Sequence, residues 1–389
     1  VELSKSLTIQ DRKYNKIKLQ LLVGFSFAML LPQVNATELS KKVILTTDAE
    51  YNSNPSMSNT NKQSVWTYTL APQILLNLND DVNRWYLNAA LMIKRNSNEN
   101  VLVNREDPSL SIGWNHAYET GSFGVDANYS ETSSIENELK TSGFYAKTDN
   151  TQKTKDISAN WQHSISPRLS VFTDAVYRDV SYSLISATLG AYRYADIGSK
   201  LTYAYSEEIN THVRADVAQI SPDKLYENTD IGRLMVGADY KLNEKFNIGG
   251  QFGIYNLSGR QSDTDWQADV SGNYTTAQNS YKLNLIREIS ASGFGGFQRD
   301  DAFKLGWTYG LSEKANLGAN YSLTKYKQDK TVDLSNLDFQ EISAFYDREL
   351  TNHWHTRVSI AHRQLTDASN SDSKANIIGA TLIYDTLSF

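Results

Sequence analysis

Few residues in this chain have the types and spacing that chemistry requires. His163, His353, His355 and His362 are the base or ligand types that a metal site or a hydrolase would use. His353 and His355 share a strand face only beside a turn, with no carboxylate adjacent to complete a coordination shell. A hydrolase of the serine type needs Ser, His and an orienting acid or amide in fixed roles, and no motif picks out such a set. The absence of cysteine removes thiolate metal sites, disulfides and cysteine nucleophiles together. Gly293-Phe294-Gly295-Gly296-Phe297 has the glycine content of a phosphate-cradling loop, but no helix follows it, so a flexible outer loop is expected. No catalytic residue, metal or cofactor is expected, and the chain does not read as an enzyme.

What positions all of these residues is one recurring element. Apolar and polar residues alternate with a period of two, as in strands with two unlike faces. Leu234, Val236, Ala238, Tyr240 and Leu242 alternate with Met235, Gly237, Asp239 and Lys241. Phe303, Leu305, Trp307 and Tyr309 alternate with Lys304, Gly306 and Thr308. Short turns join the strands in pairs, for example ISPRLSVF from Ile165, LNEKFNIGG from Leu242, LSEKANLGA from Leu311 and LTNHWHTRV from Leu350. They recur at intervals of roughly 35 to 47 residues, each holding two strands, so the repeat is a hairpin rather than a propeller blade. Longer polar connections lie between them, at Asn52 to Gln63, Ser133 to Thr151, Ser221 to Asp230 and Thr366 to Ser373. Short turns on one rim and long loops on the other predict an all-β fold, a transmembrane antiparallel up-and-down β-barrel of the outer-membrane type. Counting from Val43 gives about eighteen strands, from one centred near Thr47 to one near Leu382, with both ends at the short-turn rim.

Composition agrees with that class. A mean hydropathy of −0.49 excludes a bundle of membrane-spanning helices. The 23 Tyr, 13 Phe and 7 Trp exclude a disordered chain. A net charge of −6 and a pI near 5.6 leave no footprint for nucleic acid. Arg12, Lys13, Lys16 and Lys18 precede an apolar run from Leu19 to Leu31, and Val34-Asn35-Ala36 follows. This is a secretory signal with cleavage expected after Ala36, so residues 1–36 form an extension plus signal peptide and 37–389 the barrel domain.

In a barrel of this kind the apolar set faces lipid and the polar set lines water. Trp85, Trp114, Trp161, Trp266, Tyr274, Trp354 and Tyr384 would form interfacial girdles. The candidate pore lining includes Arg214, Asp216, Arg233, Asp239, Lys241, Asp269, Lys282, Lys304, Arg357 and Arg363, joined by Arg178, Asp126, Asp174 and Glu288. This mixed lumen carries no strong preference for either ion sign, and its charges serve either to brace the wall or to meet solute. The C-terminus places Gly379, Thr381, Ile383, Leu387 and Phe389 on one face; Gly379, Leu387 and Phe389 are the expected signal to the barrel-assembly machinery. With no connection beyond about twenty residues, a plugged receptor is not expected. The Ser133 to Thr151 loop would narrow the lumen only modestly.

The tyrosine-rich hairpins, written as strand, L-[ST]-x-[KR]-aromatic or apolar turn, strand, resemble the β-barrel porins of exopolysaccharide gene clusters. The segments WQHSISPRLSVFTDAVYRDVSY from Trp161 and YKLNEKFNIGGQFGIY from Tyr240 carry the resemblance, which extends from about Val43 to Phe389. It implies an eighteen-strand channel in the outer membrane of a Gram-negative bacterium, releasing a biofilm or capsule-like polysaccharide made by a flippase–polymerase pathway. It further implies a periplasmic polysaccharide-export protein as partner, beside outer-membrane lipid. It carries over no binding residues. A general diffusion porin for small solutes and a surface adhesin or scaffold barrel are the rival functions.

Overall fold

The computed structural model describes residues 38–141, 149–184, 189–223, 227–259, 262–293, 296–328, 337–367 and 371–386. The signal segment with Ala36, and the terminal Leu387 and Phe389, lie outside the described residues. The first half of the wall is β1 (Glu38–Asn52), β2 (Val65–Asn79), β3 (Asn83–Asn96), β4 (Arg105–Tyr118), β5 (Gly121–Ser133), β6 (Thr151–Ser166), β7 (Leu169–Tyr182), β8 (Tyr192–Ala204) and β9 (Ile209–Pro222). The second half is β10 (Thr229–Lys241), β11 (Phe246–Gly259), β12 (Asp263–Thr275), β13 (Asn279–Ala291), β14 (Phe297–Ser312), β15 (Ala315–Gln328), β16 (Leu337–Thr351), β17 (Trp354–Thr366) and β18 (Asp372–Asp385). Every strand pairs antiparallel with its sequence neighbours, and β1 pairs with β18 from Ile44↔Asp385 to Asn52↔Ile377, closing an eighteen-stranded barrel. One helix, α1 (Ser134–Thr141), follows β5; the alternation of the strands gave no notice of it.

The repeated turn motif has a common physical cause. In six of the short turns one short polar side chain accepts the backbone N–H groups two and three residues on, closing the chain reversal without a long loop. Asn243 accepts from Lys245 (2.9 Å) and Phe246 (3.0 Å), Thr276 from Gln278 (3.4 Å) and Asn279 (2.9 Å), and Ser206 from Glu208 (3.2 Å) and Ile209 (3.1 Å). Ser166 and Thr351 act alike in their turns. Asp80 does the same between β2 and β3, and the Asn83 and Val82 amides hold its carboxyl below the usual range.

The exterior is apolar and open. Val236 is 56% exposed and Leu234, Val213, Val217 and Phe252 are exposed on the same or neighbouring strands, whereas Met235 between two of them is buried. Side chains of this kind stand clear of one another only where lipid will cover them. Aromatic pairs band the short-turn rim: Trp85 stacks on Trp114 at 5.4 Å, Tyr274 meets Tyr281 at 6.1 Å, and Trp354 meets Tyr384 at 4.9 Å. Trp266 differs from the other expected girdle residues in lying near the long-loop rim, where it stacks on Phe252.

The last strand divides its alternate residues between lipid and lumen. Ile378 and Leu382 are exposed on the lipid side, and Tyr384 joins them through Trp354; Gly379, Thr381 and Ile383 face the lumen. The Thr381 hydroxyl donates to Asp48 across the seam (2.7 Å), and the Gly379 position lies against the Ser359 hydroxyl. A run of apolar residues on both faces, Ile377 to Tyr384, hides which set meets lipid.

Candidate functional site

The candidate site is the lumen and its long-loop mouth. All ten charged residues expected to line the pore lie on the inner face, but they divide into two kinds. The arginines are tied to the wall. Arg214 grips Asp174 with both terminal nitrogens (2.8 and 3.1 Å) and approaches Asp216 at 3.4 Å. Arg233 bridges Asp216 (2.6 Å) and Asp196 (2.8 Å). Arg357 binds Asp347 (2.5 Å) beneath the Phe345 ring, and Arg363 binds Glu341 (2.5 Å). The guanidinium groups of Arg214 and Arg233 each join two acids on different strands, and Arg357 and Arg363 each hold one acid of the neighbouring strand, so these residues brace the wall rather than wait for solute. Arg214 reaches from β9 over β8 to β7, and it crosses at Gly198, where a Cβ would stand 2.5 Å from its nitrogen.

The lysines stand differently. Lys282 and Lys304 are exposed to the lumen on β13 and β14, and Lys241 opens on the cavity near the short-turn rim with Asp239 and Asn273. Among the described residues none of the three has an acid within ion-pair reach. Asp239 lies 3.6 Å from the His212 ring, and Asp269 sits with Gln251 and Gln267 on the wall. Of those ten residues, the three lysines and the exposed acids Asp239 and Asp269 remain turned to the lumen water, still mixed in sign. Of the histidines, His353 donates to the Asp385 carbonyl (2.8 Å), a structural bond at the seam.

At the long-loop rim the structure departs from an open pipe. The β1–β2 loop folds onto the inner wall, where Met57 is buried against Tyr326, Phe339, Leu365 and Ala375. Helix α1 caps a second sector: Ile135 packs with Val65, Leu102 and Leu189, and Glu136 pairs with Lys94. Glu138 is almost fully buried and accepts from Gln152 (2.6 Å) and Tyr182 (2.6 Å). Below the helix, Asp149 accepts from the Ser133 hydroxyl (2.6 Å) and Arg105 (3.2 Å); burial pushes its carboxyl up against those opposing bonds.

The third element is the β13–β14 hairpin, and its behaviour corrects the expectation of a free outer loop. Ile289, Ala291 and Phe297 continue the face that carries Leu285 and Leu305 lower down. Instead of meeting lipid they pack on the inner wall, against Ala218, Ile220, Ile231, Tyr255 and Leu257 of β9, β10 and β11. Tyr255 and Ile220 are completely buried although they point into the barrel, so the hairpin must lie over them. Arg299 anchors it, donating to the Tyr255 hydroxyl (2.8 Å) and pairing with Asp265 (2.6 Å). Beyond β9, the Gly190 amide donates to the Gly293 carbonyl (2.9 Å), and Gly293 abuts the Glu138 carboxylate. The hairpin thus crosses the inner faces of β9 to β12 to reach the β7–β8 loop and α1. Helix α1, the described start of the Ser133 to Thr151 connection, shares this narrowing with it.

No family model matches this chain, and no curated protein matches it in sequence. The fold does have solved counterparts. It is similar to OpdK of Pseudomonas aeruginosa, solved with vanillate, at a TM-score of 0.53 and 9% identity, covering 90% of this chain and 99% of that one. It is similar to OccAB4 of Acinetobacter baumannii at a TM-score of 0.50 and 9% identity, covering 91% of this chain and 99% of that one. The chain spans 64% of the length of the copper transporter OprC, at 10% identity and a TM-score of 0.48. The closed eighteen-strand barrel with its apolar exterior is thus the architecture of outer-membrane porins, and this protein is an outer-membrane barrel of that architecture.

Proposed function

We propose that the protein is a passive diffusion channel for small hydrophilic solutes, with the polysaccharide exit set aside. One observation carries the reading: the β13–β14 hairpin, α1 and the β1–β2 loop all fold against the inner wall at one rim. A folded polymer-sized path needs a wide bore, whereas small solutes cross a mouth narrowed by loops. Below the mouth, Lys241, Lys282 and Lys304 with Asp239 and Asp269 offer weak, exchangeable contacts of both signs. Such a channel needs no periplasmic export partner.

The test is a set of sugars of graded size in proteoliposomes. Monosaccharides and disaccharides should equilibrate through the purified barrel while a dextran stays outside. Dextran passage would overturn the proposal. So would a deletion strain that loses its surface polysaccharide while its small-solute permeability is unchanged, which would restore the export reading.

A further inference from the structure

The barrel wall forks where the hairpin turns inward. Strands β12 and β13 pair residue by residue from Thr275↔Ser280 to Ala268↔Arg287, and the pairing stops there. Above that point residues 263–267 of β12 keep partners only on β11, and residues 288–291 of β13 only on β14. Two strand edges are left without ladder partners, the condition that proteins ordinarily avoid or cover. Arg287 sits in the fork. Its Nε donates to the Trp266 carbonyl (3.3 Å), its guanidinium lies 4.0 Å from the Trp266 ring, and it pairs with Asp265 at 3.1 Å. A side chain stands where the next rung of the ladder would be.

The sequence above the fork is nonetheless patterned for a wall. Continuing the β12–β13 register upward sets Gln267 opposite Glu288, Trp266 opposite Ile289 and Thr264 opposite Ala291. In that arrangement the outer face would carry Trp266 with Ile289, and Gln267, Glu288 and Ser290 would face the wet lumen. The inward arrangement, by contrast, leaves buried polar atoms unmatched on both sides of the fork. Gln267 Nε2 on β12 and Gln298 Oε1 on β14 are buried with no hydrogen-bond partner. A hairpin returned to the wall would expose these amides to lumen water.

We infer that the β13–β14 hairpin is a gate with two seats, one across the mouth and one zipped onto the free edge of β12. The inward seat is held by apolar packing and by the Arg299 and Arg287 ion pairs; the outward seat replaces these with ladder bonds from Gln267↔Glu288 upward. Swinging outward uncovers Tyr255 and Leu257 and widens the mouth. The inference rests on the diffusion-channel reading for what passes, but not for the fork itself.

Because the chain contains no cysteine, introduced thiols report unambiguously. In the full-length barrel carrying T264C and A291C, the two thiols should become neighbours only in the outward seat. Mild oxidation in a planar bilayer should then form an intramolecular disulfide and raise single-channel conductance in a step that a reductant reverses. Thiols that both react with a maleimide yet never crosslink would overturn the gate, as would a crosslinked channel with unchanged conductance. Arg287→Met, which empties the fork, should lengthen dwell times at the higher conductance level; unchanged dwell times would count against the inference. Sugar exclusion by the reduced protein tests the diffusion reading separately, so either idea can fail alone.

Discussion

A single positive charge on each side of the wall tests the assignment of faces most directly. Val236 points to lipid, four residues above the girdle residue Tyr240 and six below the rim residue Asp230 on the same strand. A tilted strand climbs about 2.5 Å per residue along the barrel axis, so Val236 stands roughly 10 Å above one interface and 15 Å below the other. That is close to the bilayer midplane, where an arginine facing lipid costs about 2–4 kcal/mol. Val236→Arg should therefore lower the folding equilibrium constant by roughly 30-fold to nearly 1,000-fold. The matched control is Gly306→Arg on the lumen side, where an added Cβ meets only the Asn320 amide at 3.2 Å and the Lys282 stem at 4.0 Å. Its expected cost is below about 1 kcal/mol, since water hydrates the new charge. The adjacent Gly237 is unsuitable as a control, because a Cβ there would stand 2.4 Å from the Gly250 carbonyl oxygen. Urea unfolding from phospholipid vesicles, followed by tryptophan fluorescence, measures both variants. Equal destabilisation of the two would refute the facing of the strands.

Gly306→Trp should reduce conductance through a barrel that still folds, as read by bilayer recording and heat-modifiable gel mobility; unchanged conductance would place that position away from the solute path. Gly318→Trp should instead impair folding, because its Cβ would lie 2.1 Å from the Phe345 ring that covers it. A normal yield of folded Gly318→Trp barrel would contradict that packing. Deleting Phe389 should slow insertion in cells with little change in the stability of the assembled barrel, as judged by pulse-chase of folded protein. Wild-type assembly kinetics would refute the expectation that Phe389 acts as an assembly signal.

The wall was legible in the sequence because lipid and water demand opposite side chains on alternate residues, and the turn motif repeats its Asx-type bond. Helix α1 was less visible, although Ser133-Ser134-Ile135-Glu136 has the spacing of a capping box, and the Ser133 hydroxyl does accept the Glu136 amide at 3.4 Å. The inward hairpin could not be read from alternation alone. Ile289, Ala291 and Phe297 look the same whether their face meets lipid or the inner wall. The available signal was charge: Arg287, Arg299 and Asp301 share that face, where lipid would reject them. The division of the lumen into braced arginines and unbraced lysines likewise needed partners from strands far apart in sequence, such as Asp174 and Arg214. The facing of the final strand was not legible, because Ile377 to Tyr384 offers apolar residues to both sides.

The closure of β1 on β18 has a kinetic consequence. Most of the wall joins neighbours through turns of a few residues, but the Thr381 bond to Asp48 spans 333 positions and the Val43 bond to Thr386 spans 343. In the unfolded chain, bringing such distant segments together first would cost about 3 kcal/mol more entropy than closing a loop of about ten residues, a cost that prior pairing of the hairpins removes. The seam therefore forms last, after seventeen hairpin steps have aligned both ends, and until then a curved open sheet carries two raw edges. The Lys42–Asp385 pair (2.8 Å) and the Thr386 hydroxyl accepting the Val43 amide (2.9 Å) act only once the ring is complete. Nascent chains cannot commit to the native topology strand by strand as they emerge. The whole polypeptide must be delivered and kept from self-association before β1 can close on β18.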